Sequence, residues 1–253
     1  MYSKLFLLIG IFYATFAASQ TQIVKTINHI NQIWFGYFNQ IRLHEKWGIW
    51  TDLQLRTKED FINNFSQSII RIGGTYYFTE RTRLTGGYAY VANYPGDNHS
   101  NITQPEHRLW QLIQWQTRFP KVQLNQAIRI EERFKHKIGN NELLAEGYDY
   151  FWKVRYSFLV NLPLNKKAFT ANTFSLVASD EVHLNFGKEI VYNYFDQNRF
   201  FIGIGYYTGA ANIIQFGYMN QFQQLSAGNS FKNTDIIRVL YFHNIDLRKR
   251  KVY

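Results

Sequence analysis

Two short runs place opposite charges where they can act together: Glu106-His107-Arg108, and Arg129-Ile130-Glu131-Glu132-Arg133, with Arg155 further along the chain. On an extended strand a spacing of two puts Arg129, Glu131 and Arg133 on one face, and a neighbouring strand brings Arg155 or Glu106 within ion-pair reach. Arg42, Arg56, Arg71, Arg199 and Arg238, with Asp52, fall on the same parity of other strand-like segments. The chemistry open to such a set is a lattice of charge-assisted hydrogen bonds, or a positive path or site for an anion where arginine is in excess. The candidate network is therefore Arg42, Arg56, Arg71, Glu106, Arg108, Arg129, Glu131, Arg133, Arg155 and Arg199.

Other chemistries have less to build on. Cysteine is absent, which removes thiolate nucleophiles, disulfides, thiolate metal sites and a lipidated cysteine. The seven histidines, at 29, 44, 99, 107, 136, 183 and 243, show neither His-x-His nor His-x-x-x-His spacing, so no metal and no cofactor are implied. Gly73-Gly74 and Gly86-Gly87 lie inside strand-like runs, where glycine permits bends or close neighbours, not in a phosphate loop. His107 or His243 with Ser66, Ser68 or Ser175 supplies the side chains of a lipid hydrolase, but no nucleophile signature marks any of them. The chain is expected not to be an enzyme.

The elements that would hold the charges alternate with period two. In Trp47–Thr57, Trp47, Ile49, Thr51, Leu53 and Leu55 stand against Trp50, Asp52, Gln54 and Arg56; Gln32–Leu43, the segment through Ile70–Phe78, Val122–Arg133, Trp152–Val160 and Ile237–Ile245 behave alike. Each is about ten residues or more, the length a tilted strand needs to cross an apolar slab. An aromatic content of 18% beside a mean hydropathy of −0.32 suits a barrel with an apolar outside and a polar inside. Short connections (44–46, 79–81, 119–121, 163–167, 208–210) alternate with longer ones (58–64, 93–104, 135–148, 180–197, 223–233) rich in Asn, Gly, Asp and Lys. Outer-membrane barrels have short periplasmic turns and longer outer loops. The expected fold is all-β: an antiparallel up-and-down transmembrane β-barrel. Eleven strands are evident from Gln32 to Leu247. The usual even number then implies a twelfth within Gln20–Asn31, with ten strands as the fallback. Trp34, Trp47, Trp50, Trp110, Trp115 and Trp152, with Tyr76, Tyr77, Tyr88, Tyr90, Tyr206, Tyr207 and Tyr218, are expected to form interface girdles. A soluble lipocalin-like or sandwich protein is the alternative.

Lys4, the apolar run Leu5–Phe16 and Ala17-Ala18-Ser19 have the order of a cleaved secretory signal. Residues 1–19 are read as that signal and 20–253 as one barrel domain, exported to the outer membrane with its lipid as partner. The net charge of +10 would suit nucleic acid, but the arginines are spread singly, and Arg248-Lys249-Arg250-Lys251 reads as a solvated tail. No nucleic-acid partner is expected; a small anion is the other expected partner.

Together with Trp34-Phe35-Gly36-Tyr37-Phe38, Gly87-Tyr88-Ala89-Tyr90, Arg155-Tyr156, Gln197-Asn198-Arg199 and Gly217-Tyr218-Met219, the two charged runs resemble the domain of unknown function 2490 family of predicted Gram-negative outer-membrane β-barrels. The resemblance spans nearly all of the chain after the signal. It implies barrel topology and outer-membrane location and carries no activity. Asp180-Glu181 departs from the Asn-Glu pair expected there. The resulting expectation is a non-enzymatic barrel with a structural or surface-recognition role and a lumen filled by Arg and Glu side chains. A narrow anion-selective channel is the second reading and a lipid hydrolase the third.

Overall fold

The computed structural model describes residues 25–96, 101–139, 143–165, 169–209 and 211–248. The expected signal and all but Arg248 of the basic tail lie outside the described residues. Eleven strands run in chain order: β1 Thr26–Arg42, β2 Trp47–Glu59, β3 Asn63–Tyr77, β4 Thr82–Asn93, β5 Gln104–Arg118, β6 Gln123–Ile138, β7 Leu144–Pro163, β8 Thr173–Phe186, β9 Phe195–Tyr207, β10 Asn212–Gln224 and β11 Ser230–Asp246. Each pairs with its chain neighbour, and β1 pairs with β11 to close the barrel.

The strand number corrects the expectation of twelve. Of the expected twelfth strand, residues 20–24 lie outside the described residues, and Thr26–Asn31 forms no separate strand; it continues into Gln32–Arg42 as one strand of 17 residues, paired along its whole length with β11. An up-and-down sheet reverses direction at every connection, so eleven strands leave the first and last parallel, as observed. No turn residue interrupts Thr26–Gln32, and Asn28, Asn31 and Gln32 place polar side chains on both faces, which blurred the alternation there.

The connections also differ from the expected pattern. The β2–β3 link is only 60–62, with Asp60 and Phe61 at positive φ of 46° and 63°, and Phe61 N–H donates to Asn31 O at 3.3 Å. The β7–β8 link runs over 164–172 and is longer than four of the five at the opposite end. Pairing simply extends further than hydrophobic alternation does, so strands absorb residues that read as loop.

Following paired residues from Trp34 through Arg56, Gln67 and Asn93 leads to Gln104. Since Glu106 pairs with Lys135, Gln104 lies level with Lys137. The other way round, through Arg238, Gly217, Gly203, Val177 and Asn161, the path meets β6 at Gln123. The stagger around the barrel is therefore roughly 14 residues, which for eleven strands means a tilt of about 45°.

Polarity is inverted relative to a soluble barrel. Large apolar side chains face outward, with Leu53 at 50%, Ile70 and Ile72 at 57% and Phe216 at 57% exposure, whereas Asp52, Glu106 and Glu131 inside are at 0%. Trp47 and Trp152 are on the outer face, but Trp34, Trp50, Trp110, Tyr77 and Tyr207 are buried inside, which corrects the girdle assignment for those five. Hydropathy alone does not distinguish an aromatic filling the lumen from one facing outward.

Candidate functional site

The lumen is built from alternate residues of every strand. Its charged part begins with a problem of register: Arg108 on β5 stands opposite Arg133 on β6, and Arg129 on β6 opposite Arg155 on β7. Like charges placed directly across a ladder repel. An acid two residues away resolves each clash. Glu106 accepts from Arg108 Nε at 2.8 Å and Nη2 at 3.0 Å and from both Nε and Nη2 of Arg133, the latter at 2.8 Å. Glu131 accepts from Arg155 Nη2 at 2.7 Å and has Arg108 and Arg129 at 3.8 and 3.9 Å. Asp52 serves as a third centre, accepting from Arg71 at 2.8 Å, Trp50 Nε1 at 2.9 Å and Gln54 at 3.0 Å. Both oxygens of Glu106 and of Asp52 accept hydrogen bonds, as a buried charge requires, whereas Glu131 Oε1 has no hydrogen-bond partner and only Arg129 at 3.9 Å.

Two further groups complete the charged half, which lies toward the 94–103 and 187–194 connections. Lys153 Nζ donates to Asp196 at 2.6 Å, and Asn185 Nδ2 supports the same carboxylate at 3.2 Å. Glu181 meets His183, with Arg155 at 3.7 Å and Arg199 at 3.9 Å. Alternation did not reveal Asp196, because a register shift at His183/Leu184 turns both Asp196 and Gln197 inward. A bulge re-aims a side chain in this way.

Apolar side chains occupy two further parts of the interior. Trp50, Ala89, Trp110 and Leu112 cluster with Phe38 and Ala127 toward the opposite end, and Trp34, Val177, Phe201, Met219 and Ile236 pack at mid-height. Facing glycines make room for the rings. Gly73 pairs with Gly87 beside Trp110, and Gly203 with Gly217 beside Phe201. Gly73 and Gly87 thus serve close packing, whereas a Cβ at Gly74 would meet nothing within 4 Å and one at Gly86 only Trp110 O at 3.8 Å.

Of the ten expected network residues, Glu106, Arg108, Arg129, Glu131, Arg133 and Arg155 form one connected lattice, which Arg199 joins through Glu181, while Arg71 forms a separate ion pair with Asp52. Arg56 and Arg199 lie against Trp34, with their guanidinium carbons 3.7 and 4.9 Å from the ring centroid. Arg42 is not in the lattice. It lies at the rim, where it donates to Glu80 Oε1 at 2.7 Å, and Arg248 reaches the same carboxylate at 3.1 Å. The hydrogen bonds from Arg42 hold the Glu80 carboxyl below its ordinary range. The sequence placed Arg42 on the inward parity correctly but could not give its height, which depends on where the strand ends.

On the outer wall His107 Nδ1 meets Tyr88 Oη at 2.5 Å and His243 Nδ1 meets Tyr37 Oη at 3.3 Å. Ser175 faces inward and donates to Gly205 O, and Ser68 lies against Tyr94 Oη. Each histidine thus meets a tyrosine hydroxyl at Nδ1, and Ser66, Ser68 and Ser175 bond elsewhere, to Arg56 O, Tyr94 and Gly205 O.

A family model described as a protein of unknown function (DUF2490) matches residues 31–232. No curated protein and no solved structure matches the chain.

Proposed function

Because the chain belongs to the DUF2490 family of proteins of unknown function, membership supplies no activity, and we propose a function from the geometry: a non-enzymatic outer-membrane barrel whose lumen does not conduct and whose charged end serves surface recognition or support. In this reading residues 1–19 are the export signal, the outer face meets lipid, and the end bearing the longer 94–103 and 187–194 connections faces outward. The inversion of polarity supports it most. A ring of Phe, Leu, Ile and Tyr covers the outside while carboxylates and guanidinium groups are shut inside, an arrangement that costs free energy in water and gains it in a bilayer.

The packed interior supports the absence of a water path. Trp110 and Phe201 are at 1% exposure and Val177 and Ile236 at 0%, so apolar side chains occupy the lumen beside the ion pairs.

Cell fractionation with gel migration before and after boiling tests the location, and Ile72→Arg tests the lipid contact. The expected results are a heat-modifiable band in the outer-membrane fraction and a loss of about 2–4 kcal/mol for the variant in bilayers. A chain that stays folded and monomeric without detergent and tolerates Ile72→Arg overturns the proposal. Sustained conductance in planar bilayers that falls in Arg129→Ala or Arg155→Ala would replace it with an anion channel.

A further inference from the structure

The acids of the lumen do not balance its bases. Among the described residues Arg56, Arg71, Arg83, Arg108, Arg129, Arg133, Lys135, Lys153, Arg155, Arg199 and Arg238 face inward against Asp52, Glu106, Glu131, Asp149, Glu181 and Asp196. The excess gathers around Trp34. Arg56 lies 3.7 Å and Arg199 4.9 Å from its ring centroid, and Arg238 is the residue paired with Trp34 across the β1–β11 seam. Among the described residues neither Arg56 nor Arg238 has a carboxylate within ion-pair distance, and the nearest to Arg199 is Glu181 at 3.9 Å. The charges that act most strongly on Arg56 are four other arginines, 199, 71, 108 and 155.

The groups are held in place and have donors to spare. Gln32 accepts from the Trp34 indole at 2.7 Å; Gln67 and Gln54 accept from Arg56 at 2.8 and 3.2 Å; Gln221 accepts from Arg199 Nε at 3.0 Å. Arg56 Nε and Arg238 Nε are buried without a hydrogen-bond partner. Aromatic rings beneath the guanidinium groups offset part of a buried positive charge but accept no in-plane N–H. The side chain of Arg199 is 12% exposed.

We propose that Arg56, Arg199 and Arg238 around Trp34 bind a small oxyanion of the phosphate or sulfate class. Such a group supplies the missing negative charge and several acceptors at one point, and planar guanidinium forks match its oxygens better than a single chloride does. The proposal deepens the recognition role and rests on it, because the site lies in the charged half of a non-conducting lumen.

The test is titration of the full-length protein, purified in detergent, with inorganic phosphate against chloride at constant ionic strength. Calorimetry reads binding, and the temperature at which the heat-resistant gel band is lost reads stability. Phosphate is expected to bind saturably and raise that temperature. Arg56→Gln and Arg199→Gln are each expected to weaken binding about tenfold or more while leaving the phosphate-free barrel no less stable, since each removes an uncompensated charge. Arg248→Ala, at the rim, should change nothing. Should a glutamine variant fail to fold, Arg238→Met, against Phe201 and Met219, must show the same loss. Phosphate acting no more strongly than chloride, or equally in the variants, overturns the site. A wild-type protein with no heat-resistant band instead overturns the barrel reading itself.

Discussion

Glu106→Gln isolates what one buried carboxylate does for the lumen. Glu106 is fully buried and takes two donors from each of Arg108 and Arg133. The amide keeps the shape, loses the charge and turns one acceptor into a donor facing a guanidinium. Arg108 still has Glu131 at 3.8 Å, whereas Arg133 has no other carboxylate within ion-pair distance among the described residues. The cost is therefore that of one stranded buried cation, about 3–5 kcal/mol. Urea unfolding of the protein in vesicles, followed by tryptophan fluorescence, measures it. Adding Arg133→Met removes the stranded charge, so the double variant should recover a large part of the loss and give a coupling energy well above 1 kcal/mol. A Glu106→Gln loss below about 1 kcal/mol, or additive single losses, would refute the claim that the lattice is held by charge and not by packing alone.

Two further outcomes follow from local geometry. A Cβ at Gly217 would strike the Ile202 carbonyl and lie 2.5 Å from Gly203 Cα and 2.8 Å from the Phe201 ring, while one at Gly74 meets nothing within 4 Å; thermal unfolding should show Gly217→Ala losing about 1–3 kcal/mol and Gly74→Ala almost nothing. At the rim, the lowered Glu80 carboxyl stabilises the fold above the ordinary carboxylate range, and that contribution disappears as pH falls through its lowered value. Because Glu80 is 64% exposed, solvent screening keeps the effect below about 1 kcal/mol; wild type and Glu80→Gln should differ slightly at pH 7 and coincide in acid unfolding at low pH.

What the residues determined by themselves was which side of each strand faces in. Period-two alternation is a local property, so Asp52 and Arg56 against Leu53 and Leu55, or Arg129 and Glu131 against Ile128 and Ile130, were assignable before any partner strand was known. The Glu106 and Arg129–Arg133 runs announced the lattice for the same reason, and the match over residues 31–232 agrees with the resemblance carried by those runs.

Tertiary structure alone decided the rest. Strand number and parallel closure depend on Thr26–Arg42 meeting Ser230–Asp246, a pairing more than 200 positions apart in the chain that no local pattern encodes. Trp110 and Phe201 fit inside the lumen because facing glycines on neighbouring strands leave ring-sized hollows there. Asp196 faces in through a bulge, and Arg42 sits at the rim because its strand ends there. The cation excess around Trp34 appears only once eleven strands converge, since which charges neutralise one another is set by distance across the lumen and not by distance along the chain.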